Sequence, residues 1–471
     1  MNSLAWRIDS LSKRNFVALS IGICAFITGL CYHSRLDAFF FQDDLAMIAH
    51  GADCWQTYDI LRLFSTDQYD IAHYNRLRPV VLSIYTLIYR TFGLDAGCFR
   101  MLNVVVHGAT GCLLVWFARQ VTSRSLAWVS AGIFLSWPTL SNAVFPICTL
   151  TDLLAGGFTL ATICWSTHLQ RTDADNGRWY GVPLLGLLYL LGQFSKETAI
   201  CTGPLLILAG RFAANRSWRH SFLASLPVGL LSVCYLGWRH HAFGVFLTGS
   251  KVPFFSGGLY EWLRKYLAFS YELATGTAWE LTKIALPPGI APLIAAALGL
   301  LSLAGLWLAL QHIRHTGLSR ASKLGLAFFA VAVLPVSYYP MARNLYIPVM
   351  GLSLVGAQLC ALLTQRFATR AVASRLVLAG FVALAAFRVV LLDLHCRNDG
   401  KAGDLFATLV TELDALSHKL PAGASTVALI AQPVEMTNGV YADTPWIICG
   451  GDAGYYQQLK YGKRLSNFKY F

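Results

Sequence analysis

The sequence predicts an all-α, polytopic membrane protein, on the basis of its composition and the length of its apolar runs. Of its 471 residues, 56% are hydrophobic and only 13% are charged, and the mean hydropathy is +0.52. A soluble globular domain carries about twice that share of charged residues. Apolar runs recur along most of the chain, and about 20 such residues span the hydrocarbon core of a bilayer.

About eleven segments have the composition of transmembrane helices. Together they predict one membrane module that fills residues 1–391, with external loops at 37–97 and 240–290. The predicted spans are residues 16–33, 98–118, 125–140, 148–168, 179–193, 197–210, 220–238, 291–311, 323–340, 345–365 and 373–391.

Basic residues indicate which ends of the spans face the cytoplasm. Every second connection is rich in arginine or lysine, and short loops of that kind stay on the cytoplasmic side. The first span follows a basic stretch and lacks a small-residue cleavage site, which indicates an uncleaved signal anchor with the N-terminus inside. Because the net charge of +13 is spread over these loops, it does not predict a nucleic-acid partner. The basic connections contain Arg7, Lys13 and Arg14; Arg119 and Arg124; Arg171 and Arg178; Arg211, Arg216 and Arg219; Arg314, Arg320 and Lys323; and Arg366, Arg370 and Arg375.

The same topology places the tail after residue 391 outside the cytoplasm. Residues 392–471 have an ordinary soluble composition, with a helical pattern at 403–418 and the strand-like run STVALIA at 425–431. They predict a small extracytoplasmic α/β domain that follows the membrane module in the sequence.

The twelve cysteines include no CxxC pair and no zinc-ligand spacing. Eight lie within or beside predicted spans, where a thiol is a small apolar group. The other four form two external pairs, Cys54 with Cys98 and Cys396 with Cys449. An oxidising compartment would permit either disulfide, and the sequence leaves both open.

Two adjacent carboxylates, Asp43 and Asp44, follow the first span in the stretch AFFFQDDLAMI. Aspartate favours helix N-caps, and the residues that follow have helical spacing, so capping is one role for the pair. Two carboxylates exceed what a cap needs, because each raises the cost of ionising the other unless a cation or an acceptor hydroxyl lies between them. The pair is therefore a candidate catalytic site, with capping as the alternative.

Further polar side chains map to the same face of the membrane, where ionisable groups near span ends require a wet cavity or a partner. For Asn103 and His107, interhelical hydrogen bonds are the alternative to a role in chemistry. For Arg343 the alternative is snorkelling to the headgroups, and for Lys196 it is pairing with Glu197 or a neighbouring acid. These candidate residues are His73, Arg76, Arg78, Asn103, His107, Asp152, Lys196, Glu197, Arg343 and Tyr346.

If these span ends converge, they form an external cavity with carboxylates, cations and apolar walls. Such a cavity fits a lipid phosphate, because lysine and arginine can hold the phosphate while hydrocarbon lies between helices. A carboxylate can take the proton of an attacking hydroxyl. The substrate would then bring its own activated group.

Six short stretches, in order across about residues 35–365, carry a family resemblance. They are FFFQDDLAMI, RLRPVV, FRMLNVVVHGATGCLL, WPTLSNAVFPICTLTDLLA, FSKETAI and ARNLYIPVMGLSLV. Together they resemble the C-type (GT-C) superfamily of membrane glycosyltransferases that use polyprenyl or dolichyl phosphate sugars. The chain is most similar to the transmembrane part of O-mannosyltransferases with tetratricopeptide repeats and to their bacterial relatives. It departs from them in lacking the repeats, in reading HYNRL before RPVV, and in lacking Gly-Arg before the aspartate of CTLTD.

The resemblance implies a GT-C-like bundle of helices that catalyses a direct displacement with inversion of the anomeric configuration. It also implies an active site on the extracytoplasmic side of a bacterial inner membrane. The superfamily's usual catalytic carboxylate falls on Asp43 as general base, with Asp44 as its partner in acceptor or metal contact. The implied donor is a polyprenyl-phosphate-linked sugar, and the acceptor is a protein, lipid or glycan hydroxyl; a divalent metal stays open. The implied donor-site residues are Arg78, Lys196, Glu197, Arg343 and Tyr346, and the candidate acceptor or donor contacts are His73, Arg76, Asn103, His107 and Asp152.

Two other functions stay open at this point. A ligase or polymerase of surface polysaccharide also acts on lipid-linked glycans outside the cytoplasm. A flippase or other transporter of lipid-linked sugars would also have many spans, but it would call for charges deep in the helices and often an inverted repeat. The sequence shows neither feature.

Overall fold

A computed structural model of the chain describes residues 10–40, 44–56, 63–64, 76–172, 178–244, 317–336, 342–366 and 371–417. Within these ranges the regular structure is helical and no strand occurs, which agrees with the predicted all-α membrane module. The helices are α1 Lys13–Tyr32, α2 Asp44–Gln56, α3 Pro79–Phe92, α4 Ala96–Ala118, α5 Arg124–Leu135, α6 Ser141–Val144, α7 Leu150–Arg171, α8 Arg178–Gln193, α9 Thr202–Phe212, α10 Trp218–Phe243, α11 Arg320–Val333, α12 Tyr346–Arg366 and α13 Ala371–Ser417.

Several described helices are long and apolar enough to cross a membrane, which supports a multi-pass membrane protein. Ten of the eleven predicted spans coincide with described helices, and the span at 291–311 lies outside the described residues, so the count of eleven stays a prediction. The five stretches that meet the length and composition of a span are Lys13–Tyr32, Ala96–Ala118, Ile147–Arg171, Trp218–Phe243 and Arg343–Gln365.

The helices α4, α7 and α9 run in the same direction and define the two ends of the bundle. Where they end, Nη2 of Arg171 donates to the carbonyl oxygens of Gln120, at 2.9 Å, and of Ala213. Where α4 and α7 begin, Nδ2 of Asn103 donates to the carbonyl oxygen of Pro146 at 2.8 Å. We call the end where the three helices begin the site face and the end where they finish the basic face.

Small residues let neighbouring helices approach closely, as is common in membrane bundles. A Cβ atom on Gly325 of α11 would lie 2.7 Å from the carbonyl oxygen of Gly351 in α12. A Cβ atom on Gly351 would lie 2.5 Å from the carbonyl oxygen of Gly325. The two helices therefore pack backbone against backbone, and a larger residue at either glycine would force them apart.

The last described helix, α13, is continuous through residue 391, where the sequence predicts the border of an external domain. Its second half lies against the chain that follows α1, where Arg35 pairs with Asp404 and a Cβ atom on Gly403 would lie 2.6 Å from the carbonyl oxygen of Phe39. The predicted strand at 425–431 lies outside the described residues, as do Cys449 and the side chain of Cys54. The α/β domain and both disulfides stay predictions.

Candidate active site

The first site element is the turn that leads into α2. Asp44 is the first residue of this helix and is completely buried, and its Oδ1 accepts a 2.7 Å hydrogen bond from the backbone N–H of Cys148. A carboxylate also suits the positive end of a helix dipole. Asp43 precedes it directly and lies outside the described residues.

A buried arginine holds the backbone that leads to this turn. Arg100 of α4 is 1% exposed, and its guanidinium donates to the carbonyl oxygens of Leu36 at 3.3 Å, of Phe39 at 2.7 Å and of Ala38. The charge of Asp44 lies within electrostatic range of this guanidinium. Arg100 was not among the residues predicted from the sequence, although an arginine near the start of an otherwise apolar span is a signal of a buried polar contact.

Lys196 lies in the turn between α8 and α9 and joins two other segments. Its Nζ atom pairs with Asp152 of α7 and donates a 3.0 Å hydrogen bond to Oδ1 of Asn344. Burial lowers the pKa of Lys196 to about 8; the Asp152 carboxylate opposes this shift, and the charges of Arg78 and Arg343 add to it. The ammonium is therefore charged at neutral pH and loses its proton as the pH rises through about 8.

Glu197, the next residue, bridges two arginines from distant helices. Its Oε2 lies 3.2 Å from Nη2 of Arg78, and its Oε1 lies 3.1 Å from Nη1 of Arg239. Arg239 is completely buried near the end of α10, where it also donates to the hydroxyl of Tyr235 at 3.4 Å. Sequence reasoning missed Arg239 because it lies at the edge of a predicted span, among residues that resemble a loop.

These residues form one charged cluster at the site face, defined by its six members. Four of the six are basic side chains and two are carboxylates. Arg343 is partly buried in the turn Ala342–Leu345, and its charge acts on Lys196. The cluster adjoins the Asp44 turn, because Cys148 lies one turn before Asp152 on the same segment. The six members are Arg78, Asp152, Lys196, Glu197, Arg239 and Arg343.

Three other candidates hold helices together. Asn103 donates its second amide hydrogen bond to Val144 O at 3.0 Å, which fixes the turns before α7. Nδ1 of His107 lies 2.9 Å from the hydroxyl of Tyr346, and Nε2 lies 3.4 Å from Leu135 O. Asn103 and His107 thus make the hydrogen bonds between helices that the sequence left as the alternative to chemistry, and Tyr346 is the partner of His107. A role of these residues in the site stays a prediction.

The remaining candidates precede α3 in the sequence. Arg78 occupies the N-cap position before Pro79, whose ring suits the first turn of a helix. Arg76 is partly buried two residues earlier, and His73 lies outside the described residues. In the described part of the chain, no group of three or more histidine, cysteine or acidic side chains is placed to hold a metal ion.

The fold and this cluster define a polytopic membrane protein with ionisable groups gathered at one end of its bundle. No known family description matches the chain. Protein O-mannosyl-transferase Tmtc1 of Drosophila melanogaster is 24% identical over 194 residues, which are 40% of this chain and 22% of that protein. The chain therefore matches about a fifth of the length of this relative, and the match supports the resemblance to GT-C glycosyltransferases.

The chain also shows a partial similarity to solved structures. ArnT from Cupriavidus metallidurans bound to undecaprenyl phosphate has a TM-score of 0.47 and 14% identity, covering 93% of this chain and 86% of that chain. The archaeal oligosaccharyltransferase AglB from Archaeoglobus fulgidus, in complex with an inhibitory peptide and a dolichol-phosphate, has a TM-score of 0.46 and 12% identity. That match covers 82% of this chain and 56% of AglB.

Proposed function

We propose that the protein is an integral membrane glycosyltransferase that moves a sugar from a polyprenyl-phosphate donor to an acceptor hydroxyl on the extracytoplasmic face. The observation that supports this most is the charged cluster beside the Asp44 turn, in which four basic side chains accompany two carboxylates. A donor phosphodiester carries one negative charge, and the departing polyprenyl phosphate gains a second as its bond to the sugar breaks. Fixed cations in a buried site stabilise such developing charge more than water does.

In the proposed reaction, Asp43 takes the proton of the acceptor hydroxyl, whose oxygen attacks the anomeric carbon of the sugar. The bond from that carbon to the phosphate oxygen breaks, and the configuration inverts. Lys196 and Arg343 stabilise the phosphate that leaves. Both flanks of Asp43 are anchored, by Arg100 on one side and by the bond from Asp44 to Cys148 on the other. No nucleotide sugar is needed, since the lipid phosphate ester supplies the activated bond.

Transfer assays with purified protein test this proposal against its two alternatives. We expect one sugar to move from a short-chain polyprenyl phosphate sugar to the acceptor. Transfer of a whole glycan from a polyprenyl pyrophosphate would instead support a ligase or polymerase. Translocation of the lipid across proteoliposomes without transfer would support a flippase. A lipid and glycan profile of a deletion strain would identify the acceptor.

Arg343→Lys is expected to lower kcat/KM for the lipid donor by about tenfold or more. A guanidinium can hold two phosphate oxygens at once, whereas an ammonium of the same charge cannot, and a hydrogen bond to a charged group contributes about 1.5–3 kcal/mol. Steady-state kinetics against donor concentration measures this effect. Arg90→Lys is a matched control, because Arg90 is exposed in the last turn of α3.

Lys196→Ala should impair turnover or donor affinity in the same assay. If Arg343 only snorkels to the headgroups, its replacement by lysine will be tolerated. Wild-type kinetics for Arg343→Lys and Lys196→Ala would remove both residues from the donor site.

The proposed topology predicts the labelling of a cysteine introduced at Lys401, which is exposed in α13 near the site face. With native cysteines removed, a membrane-impermeant thiol reagent should modify Lys401→Cys in intact cells or spheroplasts. Arg219→Cys, exposed at the basic face, should react only after lysis. The reverse pattern would place the charged cluster on the cytoplasmic side and contradict the proposed external site.

A further inference from the structure

A second polar site lies at the basic face, at the opposite end of the bundle from the charged cluster. It is a cavity of about 440 Å³ between the finishing ends of α4, α7 and α9 and the start of α11. None of its nine lining residues is acidic. The lining residues that matter for its chemistry are Gln120, Val121, Arg171, Phe212 and Arg320.

The cavity is positively charged and offers hydrogen-bond donors. Arg171 uses Nη2 to hold the carbonyl oxygens of Gln120 and Ala213. Its Nε and Nη1 atoms make no hydrogen bond with the described part of the chain. Arg320 is exposed at the start of α11, and Arg119 adds its charge at Arg171. Because an anion can accept from the donors of both lining arginines, the cavity suits a phosphate group.

An unsatisfied acceptor gives the cavity a second, independent feature. The Oε1 atom of Gln120 is buried and has no hydrogen-bond partner in the described structure. Buried polar atoms nearly always have a partner, and Gln120 lines the cavity, so a small rotation of its amide would let Oε1 accept from a ligand with a donor group beside its phosphate. A bare inorganic anion would use the arginines but would gain nothing from Val121 and Phe212.

The cavity also lies where lipid headgroups lie. The membrane-spanning helices α4 and α7 both end at it. Next to it, Phe212 packs edge-to-face on Trp218 with ring centroids 5.9 Å apart, and Arg211 lies over the Trp218 ring. Tryptophan and arginine at the end of a span are typical of the membrane–water interface. Basic pockets between transmembrane helices bind anionic headgroups.

We propose that this cavity binds the headgroup of an anionic phospholipid, with the phosphodiester on Arg171 and Arg320 and a headgroup hydroxyl donating to Oε1 of Gln120. Phosphatidylglycerol has this chemistry. Its acyl chains would leave the cavity past Val121 and Phe212 into the bilayer. The site is separate from the proposed transfer site and does not depend on the proposed reaction.

Native mass spectrometry of the purified full-length protein, titrated with single lipids, tests the site. The wild-type protein should bind phosphatidylglycerol more tightly than phosphatidylcholine or phosphatidylmethanol, which is anionic but has no headgroup hydroxyl. Arg320→Gln should weaken phosphatidylglycerol binding about fivefold, the effect of one arginine near an anionic lipid. Arg219→Gln, an exposed arginine of the same face outside the cavity, should leave binding unchanged.

The Gln120→Leu variant tests the contact with the headgroup hydroxyl independently of the contacts with the phosphate. This variant should bind phosphatidylmethanol as the wild type does and should lose the preference for phosphatidylglycerol. If Arg320→Gln and Arg219→Gln weaken phosphatidylglycerol binding equally, the lipid is attracted by the overall positive charge of the basic face. That result would overturn the proposed site. Displacement of phosphatidylglycerol by millimolar inorganic phosphate would also overturn it, because the cavity would then be a site for a soluble anion.

Discussion

Asp43→Asn is expected to lower kcat/KM for sugar transfer by about a thousandfold, within the range for loss of a general base. The amide has nearly the size of the carboxylate but cannot accept the proton of the acceptor hydroxyl. Expression, thermal unfolding and binding of the lipid donor should stay close to those of the wild type. Single-turnover transfer with saturating donor measures the chemical step directly.

Asp44→Asn is the matched control for this prediction, because it alters the adjacent carboxylate. An asparagine at this position keeps an Oδ1 atom that can accept the N–H of Cys148, so the turn should stay anchored. We expect a smaller loss of activity, seen mainly as a higher KM for the acceptor. Full activity in Asp43→Asn would contradict its assignment as the base, whereas inactivity with altered unfolding would indicate a structural role.

Glu197→Gln is expected to cause the largest loss of stability, with the free energy of unfolding lowered by about 3 kcal/mol or more. The carboxylate bridges Arg78 and Arg239, and Arg239 is completely buried. Glutamine removes the negative charge that both guanidiniums face in this bridge and so weakens both ion pairs. Thermal unfolding of the purified protein in detergent measures the effect as a lower Tm.

A second replacement distinguishes loss of the ion pair from a general sensitivity of this turn. The double variant Glu197→Gln with Arg239→Met also removes the buried guanidinium that the bridge holds, so it should recover part of the lost stability. Arg90→Gln, at an exposed arginine, should change Tm little. If Glu197→Gln has the wild-type Tm, the two ion pairs do not stabilise the fold. If the double variant is no better than the single one, the bridge to Arg239 is not the cause.

The placement of Glu197 also changes the role expected for it at the proposed lipid-phosphate site. The resemblance implies that Lys196 and Glu197 both face the phosphate, and a carboxylate there would repel it. In the structure Glu197 is held by Arg78 and Arg239, so it neutralises part of their charge and fixes their positions. Its contribution to donor binding is therefore expected to be indirect.

The sequence alone determined the membrane class and the approximate positions of the spans. Both depend on local features: a run of apolar residues long enough for the bilayer must form a helix there, because its backbone groups have no water to bind. The carboxylate pair was equally visible, since Asp43 and Asp44 are adjacent in an apolar stretch. The alternation of basic and non-basic connections along the chain predicted which ends of the spans face the cytoplasm.

Only the tertiary structure decided which charges meet. Pairing of Lys196 with Glu197 or a neighbouring acid was the alternative to a role at the phosphate, and the structure pairs it with Asp152, 44 residues away, and with Asn344, 148 residues away. The reason is that Lys196 has an extended backbone, with φ −160° and ψ 145°, while Glu197 begins a 3-10 turn. Adjacent side chains then point in different directions. A buried charge takes its partner from whichever helix end packs beside it, and that depends on the arrangement of the whole bundle.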